Sequence, residues 1–221
     1  ATKEAEGGHP NQLLHNKGHG TFEEVTERVG LGSYYGFAGA WADYDHDGRL
    51  DLFLNGTITQ GKNWPDYLYR NAGGRFEVVT PAEIEAVPST HGAQWADLDH
   101  DGSADLILAG PERHAVLATI LAPAIAKHSL RVRVVDARGR ATRAGAEIRI
   151  FAAGTRRLLA TRLLDAGSGY AAQTDIPAHI GVPGGVRVDI EVTWPAAGTR
   201  RIVTARGVVG DSARRVEMGV P

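Results

Sequence analysis

The chain has 221 residues, 43% of them hydrophobic, with 24 Lys+Arg, 26 Asp+Glu, nine His and no Cys. That is enough apolar matter for one large β unit or two small ones. The missing Cys excludes a disulfide framework, a thiolate nucleophile and cysteine-ligated zinc. No stretch reaches the length of a membrane span, and no aromatic-interleaved basic patch points to nucleic acid. The net charge of −2 hides a division: residues 1–112 hold 18 acids and 7 bases, residues 113–221 hold 8 acids and 17 bases. The acidic half implies a cationic partner, most simply metal. The basic half, nearly all Arg, reads as a solvated face docked on the acidic half, or as a seat for an anionic glycan, phosphate or lipid surface.

Taken in order, Asn11–Thr26 and Asp66–Thr80 are two versions of one segment: an apolar strand, an Asn/Gly turn, then Phe-Glu and Val-Thr on the return. Both read as β-hairpins. Each is followed by a connector and then by an aspartate-rich loop. The first loop is Asp43-Tyr-Asp45-His-Asp47-Gly-Arg49-Leu-Asp51, and the second, fifty-four positions on, is Asp97-Leu-Asp99-His-Asp101-Gly-Ser103-Ala-Asp105. Trp41 or Trp95 precedes each loop, and Leu-Phe-Leu or Leu-Ile-Leu follows as a buried strand.

Alternate carboxylates, a Gly and a further carboxylate make an oxygen cage for Ca²⁺, a hard cation that takes six to eight oxygen ligands. The expected ligands are Asp43, Asp45, Asp47, the carbonyl of Arg49, and Asp51; then Asp97, Asp99, Asp101, the carbonyl of Ser103, and Asp105. Position twelve is Leu54 or Leu108 where an EF-hand has Glu, so the ion is expected between strands rather than helices. His46 and His100, between carboxylates, are expected to point away from the ion into solvent. Trp41, Trp95 and Trp194 are expected in the core. Trp64, with Tyr34, Tyr35 and Tyr67, and farther along Tyr170 and His179, are the candidate ligand-binding residues.

A hairpin of the form Asn-x-Leu-x-x-Asn-x-Gly-x-Gly-x-Phe followed by Trp-Ala-Asp-x-Asp-x-Asp-Gly-x-x-Asp-Leu resembles the FG-GAP/VCBS repeat, over roughly residues 9–110. The resemblance implies calcium-binding blades of an integrin-α-like β-propeller. Two blades cannot close a ring, so an incomplete propeller packed against something else is expected, with the C-terminal half as the candidate.

Residues 111–128, punctuated by Pro111 and Pro123, read as a connector. From Leu130 the pattern alternates: Leu130–Val135, Ala146–Phe151 and Val186–Trp194 put apolar residues on one face, with Gly-rich turns between. That predicts a small antiparallel β-sandwich or barrel over 129–221 and an all-β chain throughout. Leu130-Arg-Val-Arg-Val, Gly145-Ala-Glu-Ile, Gly167-Ser-Gly-Tyr170, His179-Ile-Gly181 and Val192-Thr-Trp194-Pro195 are similar to the ASPIC and UnbV domain. That domain follows such repeats in exported bacterial proteins and in the cartilage acidic protein family. The resemblance implies export and no particular activity.

The expectation is a non-enzymatic, two-calcium binding, adhesion or scaffold module, secreted or at the cell envelope, meeting another protein or an anionic glycan. Two alternatives stand beside it: an accessory subunit of a larger envelope complex, and a calcium-dependent enzyme acting on a glycan- or terpenoid-like substrate.

Overall fold

A computed structural model describes residues 11–32, 36–59, 62–87, 90–110, 114–117, 128–141, 144–165, 178–182, 184–196, 199–210 and 214–219. Apart from one turn of helix, α1 (Ala82–Glu85), the regular elements are strands.

The two aspartate loops each join neighbouring antiparallel strands. The first lies between β3 (Gly39–Ala42) and β4 (Asp51–Leu54), the second between β9 (Gly92–Ala96) and β10 (Asp105–Ala109). The second sequence hairpin, β7 (Tyr67–Asn71) and β8 (Phe76–Val78), adds to β4 and completes a four-stranded sheet of order β3-β4-β7-β8. The structural blade is therefore offset from the sequence repeat, because it takes its inner strands from one repeat and its outer hairpin from the next. The second sheet has the order β11-β10-β9, with β11 (His114–Leu117) in the third place. The first sequence hairpin, β1 (Leu14–Gly18) and β2 (Thr21–Glu24), is a two-stranded sheet of its own. Between Thr57–Thr59 (β5) and Lys62–Trp64 (β6) the connector forms a small ribbon.

The sheets of the two repeats pack face to face. Ala40, Phe53 and Leu68 from the first share one apolar cluster with Ala93, Trp95, Leu106 and Leu108 from the second. A polar device recurs at the start of each hairpin, fully buried in the second. Asp66 accepts the amides of Gly56 (2.6 Å) and Thr90 (3.1 Å) and the Thr90 hydroxyl (2.7 Å). Its repeat equivalent, Asn11, accepts the amide of Gly36, which stands fifty-four positions before Thr90. Each hairpin thus ties down the chain entering the next loop strand. Replacing Thr90, fully buried, by Val leaves Asp66 short of a donor and is expected to cost about 1–3 kcal/mol, readable in urea melts.

In the C-terminal half, β13 (Glu147–Ala152), β14 (Leu158–Leu163), β16 (Arg187–Ala196) and β17 (Thr199–Val209) form a sheet of order β14-β13-β16-β17. A second sheet runs β15-β12-β18, from Ala178–Gly181, Ser129–Val135 and Arg214–Gly219 respectively. Their inner faces share one core that includes Leu130, Val132, Ile148, Ile150, Ile180, Ile190 and Trp194. This is a two-layer sandwich, not a closed barrel. It departs from the all-antiparallel expectation at one place: β12 and β18 pair in parallel. The chain leaves β12, winds through the other sheet and returns beside it, and such a crossover delivers a parallel partner.

Trp95 and Trp194 lie in the core, at 8% and 3% exposure, but Trp41 is 43% exposed. Both loop tryptophans enter at equivalent strand positions. Trp95 donates its indole N–H to the Ala40 carbonyl of the other sheet (3.4 Å), whereas Trp41 sits edge-on to Phe76 of its own sheet.

Candidate metal centres

The two loops fold alike down to individual hydrogen bonds. In the first, Gly48 N–H donates to Asp43 Oδ1 (3.2 Å), Asp47 N–H to Asp45 Oδ1 (3.2 Å), Arg49 N–H to Asp47 Oδ1 (2.9 Å) and Tyr44 N–H to Asp51 Oδ2 (3.2 Å). In the second, Gly102 donates to Asp97 (3.4 Å), Asp101 to Asp99 (3.0 Å), Ser103 to Asp101 (2.7 Å) and Leu98 to Asp105 (2.9 Å). So tight a curl needs left-handed backbone. Gly48 and Gly102 take φ of 90° and 97°, and His46 and His100 take 59° and 64°, a region rare for residues with a Cβ.

The curl brings carboxylate oxygens of Asp43, Asp45 and Asp51 within 4.8 Å of one another, and likewise those of Asp97, Asp99 and Asp105. Asp47 and Asp101 are not in these sets. Asp47 is instead paired with the Arg49 guanidinium, and among the described residues Asp101 accepts the turn amide of Ser103. Burial, and then the neighbouring carboxylates, push Asp51 up to about 7. Burial likewise lifts Asp43 to about 6 against the pull of Arg162, and raises Asp45 and Asp97. In each set the first and last carboxylates are buried beside a more open middle one; so crowded a group is short of positive charge, and an all-oxygen donor set of this kind fits a hard divalent cation.

The C-terminal sandwich supplies part of that charge. Asp43 Oδ2 accepts the backbone N–H of Gly181 (3.0 Å) and faces Arg162 Nη2 at 3.3 Å. Asp97 Oδ2 faces Arg131 Nη1 at 2.9 Å. The Gly102 carbonyl accepts from the Ser129 hydroxyl (3.2 Å) and from His179 Nε2 (3.0 Å). Each loop therefore has its first aspartate turned at once toward its own carboxylate cluster and toward an arginine of the sandwich.

His46 departs from the expectation of a solvated ring. It is 5% exposed, its ring centroid 4.9 Å from that of His179. The sandwich docks on this face of the first loop and covers it. His100 is exposed, with its ring beside Arg131. Of the candidate ligand-binding residues, Trp64 packs with Leu54, Tyr67 and Tyr69. His179 lies between the two loops, held neutral by burial, which lowers it to about 3. Tyr170, Tyr34 and Tyr35 lie outside the described residues. Trp64 and His179 thus belong to different parts of the molecule.

Comparison with known proteins matches this arrangement. Residues 5–54 and 57–108 each match the FG-GAP-like repeat family, and residues 137–219 match ASPIC and UnbV. The chain is a pair of FG-GAP-like repeats followed by an ASPIC and UnbV domain. This FG-GAP/ASPIC chain is 30% identical over 167 residues to human "Cartilage acidic protein 1", covering 70% of this chain and 24% of that protein. It is 27% identical over 253 residues to the Xenopus tropicalis protein of the same name, covering 84% and 38% respectively. The mouse protein matches at 30% over 167 residues. The chain spans about a quarter to two fifths of the length of these relatives. Within the FG-GAP/ASPIC chain, no described helix is long and apolar enough to cross a membrane.

The residues not legible as site residues in the sequence were Arg131, Arg162, Ser129 and Gly181. For the two arginines an advance signal was the opposed charge of the two halves; Gly181 had only its place in the His179-Ile-Gly181 segment, and Ser129 had none. With Arg162 removed, Asp43 stays buried without its counter-charge, a kind of loss that costs about 3–5 kcal/mol. Because a bound cation would replace the lost charge, Arg162→Ala is expected to lower Tm more in EDTA than in millimolar Ca²⁺. An equal drop in both would mean that Arg162 and metal do not serve the same carboxylate.

Proposed function

We propose that both loops bind Ca²⁺ and that the ion fixes two β units, residues 1–110 and 129–221 joined by 111–128, into one rigid binding module. The carrying observation is the twofold convergence of three carboxylates, each with its first aspartate facing the sandwich. In this reading Asp43, Asp45 and Asp51 hold one ion and Asp97, Asp99 and Asp105 the other. Asp47, Asp101 and the carbonyls of Arg49 and Ser103 complete the shells once the ion draws them in. The bound ion supplies positive charge and nothing else. The protein's own residues do the rest: Gly48 and Gly102 bend the loop, and Gly181, Arg162 and Arg131 hold the first aspartates.

Extracellular modules bind Ca²⁺ with Kd of about 10⁻⁴–10⁻³ M, so such a device is loaded outside the cytosol. That supports an exported protein, secreted or in the envelope, working in adhesion or as a scaffold. A protein partner is favoured over an anionic glycan because many of the sandwich arginines are already engaged. Arg133 pairs with Glu217, Arg140 with Asp136, Arg149 with Glu147, and Arg156 with Glu191. Metal analysis of protein purified without chelator tests the reading. About two Ca²⁺ per chain are expected, falling to one in Asp45→Ala; a metal-free wild type that also refuses added Ca²⁺ would end it.

A further inference from the structure

One short strand of the sandwich reaches both aspartate loops. β15 pairs with β12 in the register Ser129↔Gly181, Leu130↔Ile180, Arg131↔His179 and Val132↔Ala178. Ala178 and Ile180 belong to the sandwich core, so His179 projects from the other face of the strand, toward the repeats. Gly181 meets the first loop: its N–H donates to Asp43 Oδ2 (3.0 Å). His179, two residues earlier, meets both loops. Its ring stands edge-on to His46 of the first loop, with centroids 4.9 Å apart. Its Nε2 lies 3.0 Å from the Gly102 carbonyl of the second.

Burial lowers His179 to about 3, so the ring is neutral and carries a single N–H. A carbonyl only accepts, which places that proton on Nε2. The Ser129 hydroxyl donates to the same carbonyl (3.2 Å), so both lone pairs of Gly102 are engaged. The far end of that peptide is held too, because the Ser103 N–H donates to Asp101 Oδ1 (2.7 Å). The second loop is therefore pinned at its left-handed Gly by the strand that also holds the first aspartate of the first loop.

Two states follow from the charges. In an empty loop the crowded carboxylates oppose the curl, and the curl is what brings Asp43 to Gly181 and the Gly102 carbonyl to His179. The alternatives are curled loops clasped by β15 and opened loops released from it. A cation in either loop favours the clasped state, and the clasp holds the other loop in the shape that takes its own ion.

We infer that His179 is a positioning residue that couples the two metal loops, so that Ca²⁺ in one strengthens binding in the other. This rests on the calcium reading above and adds to it a dependence that two separate cages would lack.

The test titrates Ca²⁺ into the isotopically labelled full chain, with the Gly48 and Gly102 amides reporting the two loops separately. Asp45→Ala is expected to raise the half-saturating Ca²⁺ at Gly102 by about fivefold or more, and Asp99→Ala to raise that at Gly48 by the same factor, since coupling is reciprocal. His179→Phe keeps a ring against His46 and loses the donor. In that background Gly102 should titrate later and no longer respond to Asp45→Ala. His179→Gln, which offers an amide N–H in place of Nε2–H, should behave as wild type. Unchanged spectral dispersion checks that each variant is folded, and the two aspartate variants test the coupling without touching His179. Wild-type curves of one-site shape that stay in place in Asp45→Ala and Asp99→Ala overturn the coupling and leave two calcium sites standing. Coupling that survives His179→Phe, or is lost in His179→Gln, overturns the role of the imidazole N–H. If neither amide responds to Ca²⁺, the calcium reading itself falls and the coupling with it.

Discussion

Calcium is expected to raise the melting temperature of this protein, and the gain is expected to widen as pH rises. At about ten to a hundred times Kd, one site adds about 1.4–2.7 kcal/mol, or some 3–10 °C in a chain of this size at about 2–4 °C per kcal/mol. The pH dependence follows from the carboxylates. Asp43 and Asp51 are raised in the fold, to about 6 and about 7, so without metal they hold protons that the unfolded chain has released. That stabilises the metal-free fold at acidic pH, and the benefit fades as pH rises from about 4 to about 7. Ca²⁺ needs the same groups ionised, and protons compete with it below pH 7. Calorimetry at pH 5 and pH 8, with EDTA or Ca²⁺, should show the two curves close together at pH 5 and far apart at pH 8. In Asp45→Ala/Asp99→Ala they should coincide throughout. A wild-type gap that is constant with pH would mean that the ion is not held by these aspartates.

The second large effect is expected from a single methyl group. Gly181 lies so close to the first loop that a Cβ there would stand 2.4 Å from His46 Cα and 2.6 Å from Asp43 Oδ2. The first of these is backbone and cannot swing aside, so Gly181→Ala must push β15 and the loop apart. Overpacking of this kind costs about 1–3 kcal/mol. Here it would also lengthen the Gly181–Asp43 hydrogen bond and disturb the His46–His179 contact. Easier proteolysis between the halves and weaker binding of the first ion are expected, with the second site less affected. Gly219→Ala is the control, since nothing lies within 4 Å of its Cβ position. If Gly181→Ala melts like wild type and keeps both sites, the loop and the sandwich are not firmly joined.

Gly181 also shows where reading the chain reached its limit. His179-Ile-Gly181 stood out in the sequence through its resemblance to the ASPIC and UnbV domain, but nothing in it named its neighbour. Its contact with Asp43 joins residues 138 positions apart, beyond what any local pattern encodes. Asp47 marks the opposite case. Alternation along the loop sets its carboxylate in line with those of Asp43 and Asp45, and in the folded turn it also meets the Arg49 guanidinium, a pairing that spacing alone does not announce. Judged by its own loop alone, His46 is a solvated residue, and a separate sheet buries it.

What the sequence determined by itself is the local chemistry: two aspartate loops in register, paired hairpins with Asn/Gly turns, and alternating strands of a sandwich. Each rests on spacing within a dozen residues, where backbone geometry leaves few choices. The tertiary structure decided which strands share a sheet, which tryptophan is covered, and that arginines of the basic half face the first aspartate of each loop. Those outcomes depend on long-range packing and on the desolvation of charge, and both are set only when distant parts of the chain meet.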